Sequence, residues 1–188
     1  MKTGARGWRW RVNSQVLVCG LLLGTSVCGP SASAQPAVPS KEYRNIDYGY
    51  SVELPPGLKI EVNPPPAPNH GFGVHLAVGA YAWTDAAGTE AARSLDETVA
   101  EETQKLSTIC SEISNRATML GPLRAAELRM QCPDPEAANQ FLRRTYVVAY
   151  YQLTKYSVGI DRRGSEEDPE VESVFRAMIR GFRIIDRR

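Results

Sequence analysis

A chain of 188 residues with 22 Lys plus Arg against 21 Asp plus Glu, a formal charge of +1 and 43% hydrophobic residues is long enough to bury one core and too short for two ordinary domains. The near-neutral balance hides an asymmetry, because residues 1–34 hold Lys2, Arg6, Arg9 and Arg11 and no acid, leaving 18 basic against 21 acidic side chains and a charge of −3 on the rest. Nucleic acid is thereby excluded as the expected partner, since phosphate binding needs a net basic face.

Residues 1–34 read as a secretory signal peptide. The basic start is followed by the apolar run VLVCGLLLGTSV and by SASAQ, an A-x-A cleavage pattern ending at Ala34. The run falls short of the roughly 20 residues that span a bilayer, and no later stretch approaches that length. An exported product without a transmembrane segment, periplasmic or secreted, is expected. Lipid attachment at Cys28 is the weaker reading, because Thr25 and Val27 lack the residue types that lipoprotein processing wants before its cysteine. Residues 35–42 form a Pro/Ser-rich spacer too poor in apolar residues to fold, and the single domain is placed at 43–188.

Tyr50, Val52 and Leu54 alternate with Ser51 and Glu53, the period of a half-buried strand, and Pro55-Pro56-Gly57 ends it. The stretch PPPAPNHGFG, residues 64–73, connects two strands. Its prolines fix φ, which predicts an ordered projection with Asn69, His70 and Gly71 at a polar tip, the candidate binding residues. The competing and favoured reading is structural: His70 bonds a local backbone group and Gly71 supplies the turn. Residues 72–83 read as one strand, with Phe72, Val74, Leu76 and Val78 on one face and Gly73, His75 and Ala77 on the other.

Ser94 with Glu97 three residues on predicts a capped helix over 94–107. Its apolar stripe, Leu95, Val99 and Leu106, is broken by Glu102, so the helix should cover a sheet. Glu97, Glu101 and Glu102 read as solvated acids favoured by the helix dipole rather than as a catalytic pair. Cys110 and Cys132 are the cysteines left after cleavage, in an oxidising compartment, with no CxxC and no His or further Cys at ligand spacing. They predict a disulfide across a hairpin centred on Gly121, from which both are equidistant, and their spacing leaves nothing to suggest a zinc site. Residues 141–153 and 155–161 form a second hairpin joined near Thr154-Lys155. Asp168 caps a last helix with Pro169 at its first position, and Val171, Val174, Phe175, Met178, Ile179 and Phe182 make an uninterrupted apolar stripe. The pairs Arg143-Arg144, Arg162-Arg163 and Arg187-Arg188 read as solvated surface. Strands, helix, hairpin, hairpin, helix together predict an α+β domain, a mainly antiparallel sheet sandwiched by helices.

YGYSVELPPGL near the start, a helix before a strand pair, KYSVGI in a late strand and the final VFRAMIRGF resemble the PsbP-like superfamily. That superfamily includes the extrinsic photosystem II protein, a nuclear Ran-binding protein and many exported bacterial domains. The resemblance covers roughly residues 43–185 and implies an antiparallel sheet between helices and a non-enzymatic binding or accessory role. Its motifs are packing motifs, and no partner-specific residue carries across. The Cys110–Cys132 staple and the PNHG loop look like features of a bacterial subgroup.

Catalytic signatures are missing from the sequence. There is no G-x-S-x-G, and GFG at 71–73 lacks the lysine and following helix of a phosphate loop. No catalytic residue, cofactor or metal is therefore assigned. The expected function is an exported, non-enzymatic binding or accessory protein of the bacterial envelope. It would recognise a protein or another envelope component through a sheet face or the Pro-rich loop, with Tyr81, Trp83, Tyr150 and Tyr151 as candidate contact aromatics. The alternative is a small-molecule or metal-binding enzyme with a site assembled around His70 or His75 and a carboxylate. A concave pocket joining a histidine to a carboxylate favours the alternative; a flat face with exposed aromatics favours the module.

Overall fold

The computed structural model describes residues 41–62, 71–76, 79–137, 140–164 and 168–186. The predicted signal peptide, Asn69 and His70 lie outside them. So does most of the spacer, but its last residues, Lys41 and Glu42, are the start of a paired strand.

Among the described residues ten strands and two helices follow in the order β1 (Lys41–Asn45), β2 (Tyr50–Leu54), β3 (Glu61–Val62), β4 (Phe72–His75), β5 (Ala80–Gly88), α1 (Leu95–Leu106), β6 (Ser111–Leu120), β7 (Leu123–Pro133), β8 (Phe141–Tyr151), β9 (Thr154–Arg163), α2 (Pro169–Gly181) and β10 (Phe182–Ile184). They build a seven-stranded sheet, β3-β4-β5-β9-β8-β7-β6, and a three-stranded sheet, β1-β2-β10. Every pairing is antiparallel. The architecture is the predicted α+β sandwich.

Alternation along the strands gives the large sheet two apolar faces, each with its own cover. On one face Ala82, Ala86, Val147, Ala149, Tyr156, Val158 and Ile160 meet the small sheet and the apolar stripe of α2, including Val171, Phe175 and Met178. Tyr50 stacks on Phe182 at 5.5 Å and meets Tyr156 edge-on at 5.7 Å, which ties the two sheets together through aromatic rings. On the other face Leu128, Met130, Leu142, Tyr146 and Val148 lie under Leu95, Val99 and Leu106 of α1. Both helices start where the sequence places them. Ser94 and Glu97 form a complete capping box, and Asp168 accepts from the backbone N–H groups of Glu170 and Val171.

Two hairpins depart from the expectation. Residues 72–83 are not one strand but β4 and β5 joined by a hairpin, with Val74 opposite Ala82 and His75 opposite Tyr81. The Leu76 N–H donates to the Ala80 carbonyl, leaving three residues in the turn, with Gly79 at φ 72°. An odd turn keeps even-numbered residues on the core side of both strands, so the alternation runs through it unbroken. The β8–β9 turn is Gln152-Leu153, two residues before the predicted joint, with Gln152 at φ 54°.

The β6–β7 hairpin turns at Gly121-Pro122, pairing Leu120 with Leu123 and Ser114 with Arg129. Gly121 has φ 53°, as the first central residue of a II′ turn requires, and its N–H donates to the Ile179 carbonyl at the end of α2. In that register Cys132 would face Ser111. A β-bulge between Ser111 and Ser114, with Glu112 at φ 54°, inserts one extra residue and shifts the pairing to Ser111 with Gln131. Cys110 and Cys132 thereby come opposite one another, 4.3 Å apart at Cα, and form the expected disulfide. The hairpin is centred half a residue past Gly121, and the bulge supplies the missing step. Replacing both cysteines by serine is expected to cost about 3 kcal/mol through the freed loop entropy. The check is chemical denaturation, together with thiol titration of the exported, denatured protein, which should show no free thiol.

Candidate functional site

Antiparallel pairing lines up His75, Tyr81, Asp161 and Arg144 in one row across β4, β5, β9 and β8. Directly paired residues share a face, so this row is a ready-made polar strip at the end of the sheet. With Glu61, Glu136 and Arg163, the first three of these residues line a cleft of about 370 Å³.

Each member of the strip is held by a neighbour. Arg144 donates to both oxygens of Asp161, Nε to Oδ1 and Nη2 to Oδ2, each at 2.7 Å, the fork geometry that makes guanidinium–carboxylate pairs strong. Arg163 is exposed but tied to Asp134 at 2.5 and 3.2 Å and to Glu136. Asp134 is buried, and the Arg163 hydrogen bonds, followed by the Glu136 N–H, hold its carboxyl below the usual range. These contacts close the loop between β7 and β8, where the Asp134 N–H also donates to the Gln140 carbonyl. Tyr81 lies across Gly73, and its ring is 4.9 Å from that of the exposed His75. Burial, then the charges of Glu61 and Asp161, raises the Tyr81 hydroxyl above its ordinary pKa.

A Cβ on Gly73 would overlap the Tyr81 hydroxyl. Gly73→Ala is therefore expected to push the Tyr81 ring out of the strip and return its titration toward the ordinary tyrosine value. Tyrosinate absorbance of the variant against the parent checks this; an unchanged Tyr81 midpoint would show that the ring is not seated as described.

The cleft does join a histidine to carboxylates, of which Asp161 accepts from Arg144 through both oxygens and Glu136 is paired with Arg163, while Glu61 stands on the same wall. A general base needs an available lone pair near its target. Among the described residues no group of three or more His, Cys, Asp or Glu is placed to hold a metal ion. What remains is a rigid polar floor with an imidazole and a phenol at its lip.

The predicted site residues fare differently. Gly71 is buried, and a Cβ there would overlap the Thr84 carbonyl, while the Phe72 N–H donates to Thr84 Oγ1 at 3.2 Å. Its role is close packing, and it sits at the far end of β4 from His75. Of the aromatics, Trp83 lies over Gly159, 6.0 Å from the Tyr146 ring, beside the α1 cluster. The Tyr150 hydroxyl donates to the Ala91 carbonyl, and Tyr151 is the exposed one.

Glu102 is not a solvated acid. It accepts from Lys155 at 2.8 Å and from the Tyr146 hydroxyl at 3.1 Å, anchoring α1 to the sheet. Burial opposes its charge, but Lys155 and Tyr146 prevail and lower its pKa. The two internal arginine pairs are solvated surface only in part: Arg143 and Arg163 are exposed, Arg144 and Arg162 are not. Adjacent strand residues point to opposite faces, so Arg144 and Arg163 bind carboxylates on the α1 side, while the Arg162 side chain turns to the α2 side and is only 11% exposed. The cue available in the sequence was two Arg-Arg dipeptides on strands of one predicted hairpin, which alternation must split between two faces.

No protein-family model matches the chain, and no curated protein matches it in sequence. Solved structures do. The chain superposes on the solution structure of cyanobacterial PsbP (CyanoP) from Synechocystis sp. PCC 6803 with a TM-score of 0.54 at 11% identity, covering 84% of this chain and 98% of that one. It superposes on the Ran-binding protein Mog1p of Saccharomyces cerevisiae with a TM-score of 0.52 at 11% identity, covering 79% of this chain and 96% of that one. With sandwich, helix placement and near-complete coverage in agreement, the chain has the PsbP-like α+β fold shared by CyanoP and Mog1p.

Proposed function

We propose that the protein is an exported, non-enzymatic binding or accessory module of the bacterial envelope, and that it recognises a protein or another envelope component through the His75–Tyr81 lip of the cleft. The observation that carries this reading is that two of the three carboxylates lining the cleft are cross-tied, Asp161 by Arg144 and Glu136 by Arg163. Such a surface is preorganised for contact, because little side-chain freedom is lost on binding. The disulfide and the signal-like N-terminus support export. One fold relative is named for binding another protein, Ran. The loop residues Asn69 and His70 are a second proposed contact element, with Gly71 packed behind them.

A photo-crosslinking residue placed at Tyr81, or separately at His70, in the exported protein tests both elements, with adducts identified by mass. The expected result is one discrete adduct from position 81 that His75→Ala diminishes. An adduct from position 70 alone would move the contact to the loop, and none from either would remove the binding reading. N-terminal sequencing of the product should begin at Gln35; an intact Met1 terminus would remove the export reading.

The competing enzyme reading draws on the concavity that links His75 to Glu61 and Asp161. Zinc titration followed at the His75 ring by NMR separates the two. No saturable shift is expected, and a one-to-one shift lost in Asp161→Asn would favour the metal-dependent alternative.

A further inference from the structure

On the face of the large sheet that α2 covers, the register brings arginines together. Arg116 pairs with Glu127, Arg129 follows two residues along β7, and Arg143 on β8 lies directly opposite Arg162 on β9. Arg176 of α2 reaches the same ground through Glu127 and Glu172. Among the described residues these guanidiniums meet Glu127 and Glu172, with Glu112 at the rim, and Arg143 has a partner of its own. Like charges directly opposed across a sheet are destabilising unless something of opposite sign lies between them.

Arg162 is the least satisfied of the five. Its side chain is 11% exposed, and Glu172 Oε2 lies 3.4 Å from Nη1, close enough for charge attraction but out of hydrogen-bond alignment. Both Nε and Nη1 are buried without an acceptor. Buried donors left unpaired carry a desolvation cost, and an arginine has five to place. Beside it Arg129, Arg143, Arg162 and Thr145 line a polar concavity of about 140 Å³, separate in its chemistry from the His75 cleft. That volume admits a carboxylate or phosphate group and is far too small for a nucleotide.

We propose that this concavity is a binding site for a small oxyanion, a phosphate or a carboxylate, held between Arg143 and Arg162 with Arg129 and the Thr145 hydroxyl beside it. The anion supplies the acceptors that Arg162 lacks. The site does not depend on the proposed role of the His75 cleft, although Arg162 lines both concavities.

The test titrates the folded protein with inorganic phosphate and, separately, with glutamate capped at both backbone ends, each against potassium chloride at matched ionic strength. Arginine Nε–H signals are followed by NMR. Saturable perturbation of the Arg162 signal is expected with at least one probe and not with chloride, and Arg162→Gln should weaken that binding roughly tenfold, the loss of a charge-assisted pair. Arg180→Gln, exposed on α2, should leave it unchanged. Saturation by phosphate alone identifies a free phosphate-type ligand; saturation by capped glutamate identifies the carboxylate end of a larger molecule. No saturation by either, a response equal to that of chloride, or undiminished affinity in Arg162→Gln overturns the proposal. Should Arg162→Gln fail to fold, Arg143→Gln is held to the same criterion.

Discussion

Replacing Glu127 with alanine is expected to destabilise the protein by about 3–5 kcal/mol, the cost of removing one member of a buried charge network while leaving the others in place. The Glu127 side chain has no exposure and accepts from Arg116 at 2.9 Å, Arg129 at 2.8 Å and Arg176 at 2.6 Å. It joins β6, β7 and α2 at one point. Without it three guanidiniums repel one another around a void. Urea denaturation at neutral pH measures the loss, and a value below about 1 kcal/mol would mean that the arginines turn to solvent without penalty.

The same residue gives the protein a signature in acid. Burial alone would raise the Glu127 pKa, but hydrogen bonds from Arg176, Arg116 and Arg129 outweigh it and bring it to about 2. A carboxyl held below its unfolded value stabilises the fold above that unfolded value and loses the contribution as pH falls through the folded one. Stability should therefore decline by on the order of 3 kcal/mol between about pH 4.5 and 2 on this account, at 1.36 kcal/mol per pKa unit. Glu127→Ala lacks that share of the acid dependence, so the two stability curves converge at low pH. Parallel curves would assign the acid sensitivity elsewhere.

Phe175→Ala is expected to cost a further large amount, about 3–5 kcal/mol, because a fully buried ring is replaced by a cavity that a rigid sheet cannot close. Phe175 is 0% exposed within the cluster of Tyr50, Val52, Tyr156, Val158 and Phe182. Ser173→Ala, on the exposed side of the same helix, should change stability by less than about 0.5 kcal/mol. A cost below about 1 kcal/mol at Phe175 would show that α2 rests on the sheet through other residues.

Both helices, the apolar stripe of α2, the cysteine pair and the sandwich architecture were legible because each is written in local spacing: a cap three residues from its partner, an i, i+3, i+4 stripe, two cysteines flanking one turn. The turns were read less well. Periodicity reports which face a residue occupies, and an odd loop between β4 and β5 preserves the face, so only Gly79 marked the break. The polar interior was not legible at all. Asp161, Asp134 and Glu127 look like ordinary surface acids along the chain, and their partners Arg144, Arg163 and Arg176 lie 17, 29 and 49 residues away. Nothing short of the strand order β9-β8-β7 brings them together. The cleft has the same origin, a row across four strands of which His75 and Tyr81 alone are near neighbours in sequence.

The bulge at Glu112 bears on how the molecule behaves in a crowded solution. β6 is the free margin of the large sheet, ten residues long and exposed over much of its length. A straight margin of that length is a template on which a second chain can zip its own backbone, the first step toward fibrous aggregates. The extra residue kinks the template near its start, where Glu112 also places a charge. Deleting Glu112 would remove the kink alone, because Ile113 would then oppose Met130 while Ser111 stays opposite Gln131 and Cys110 opposite Cys132. The resulting chain would keep its crosslink but present a smoother, stickier border, so its solubility should fail at concentrations the parent tolerates.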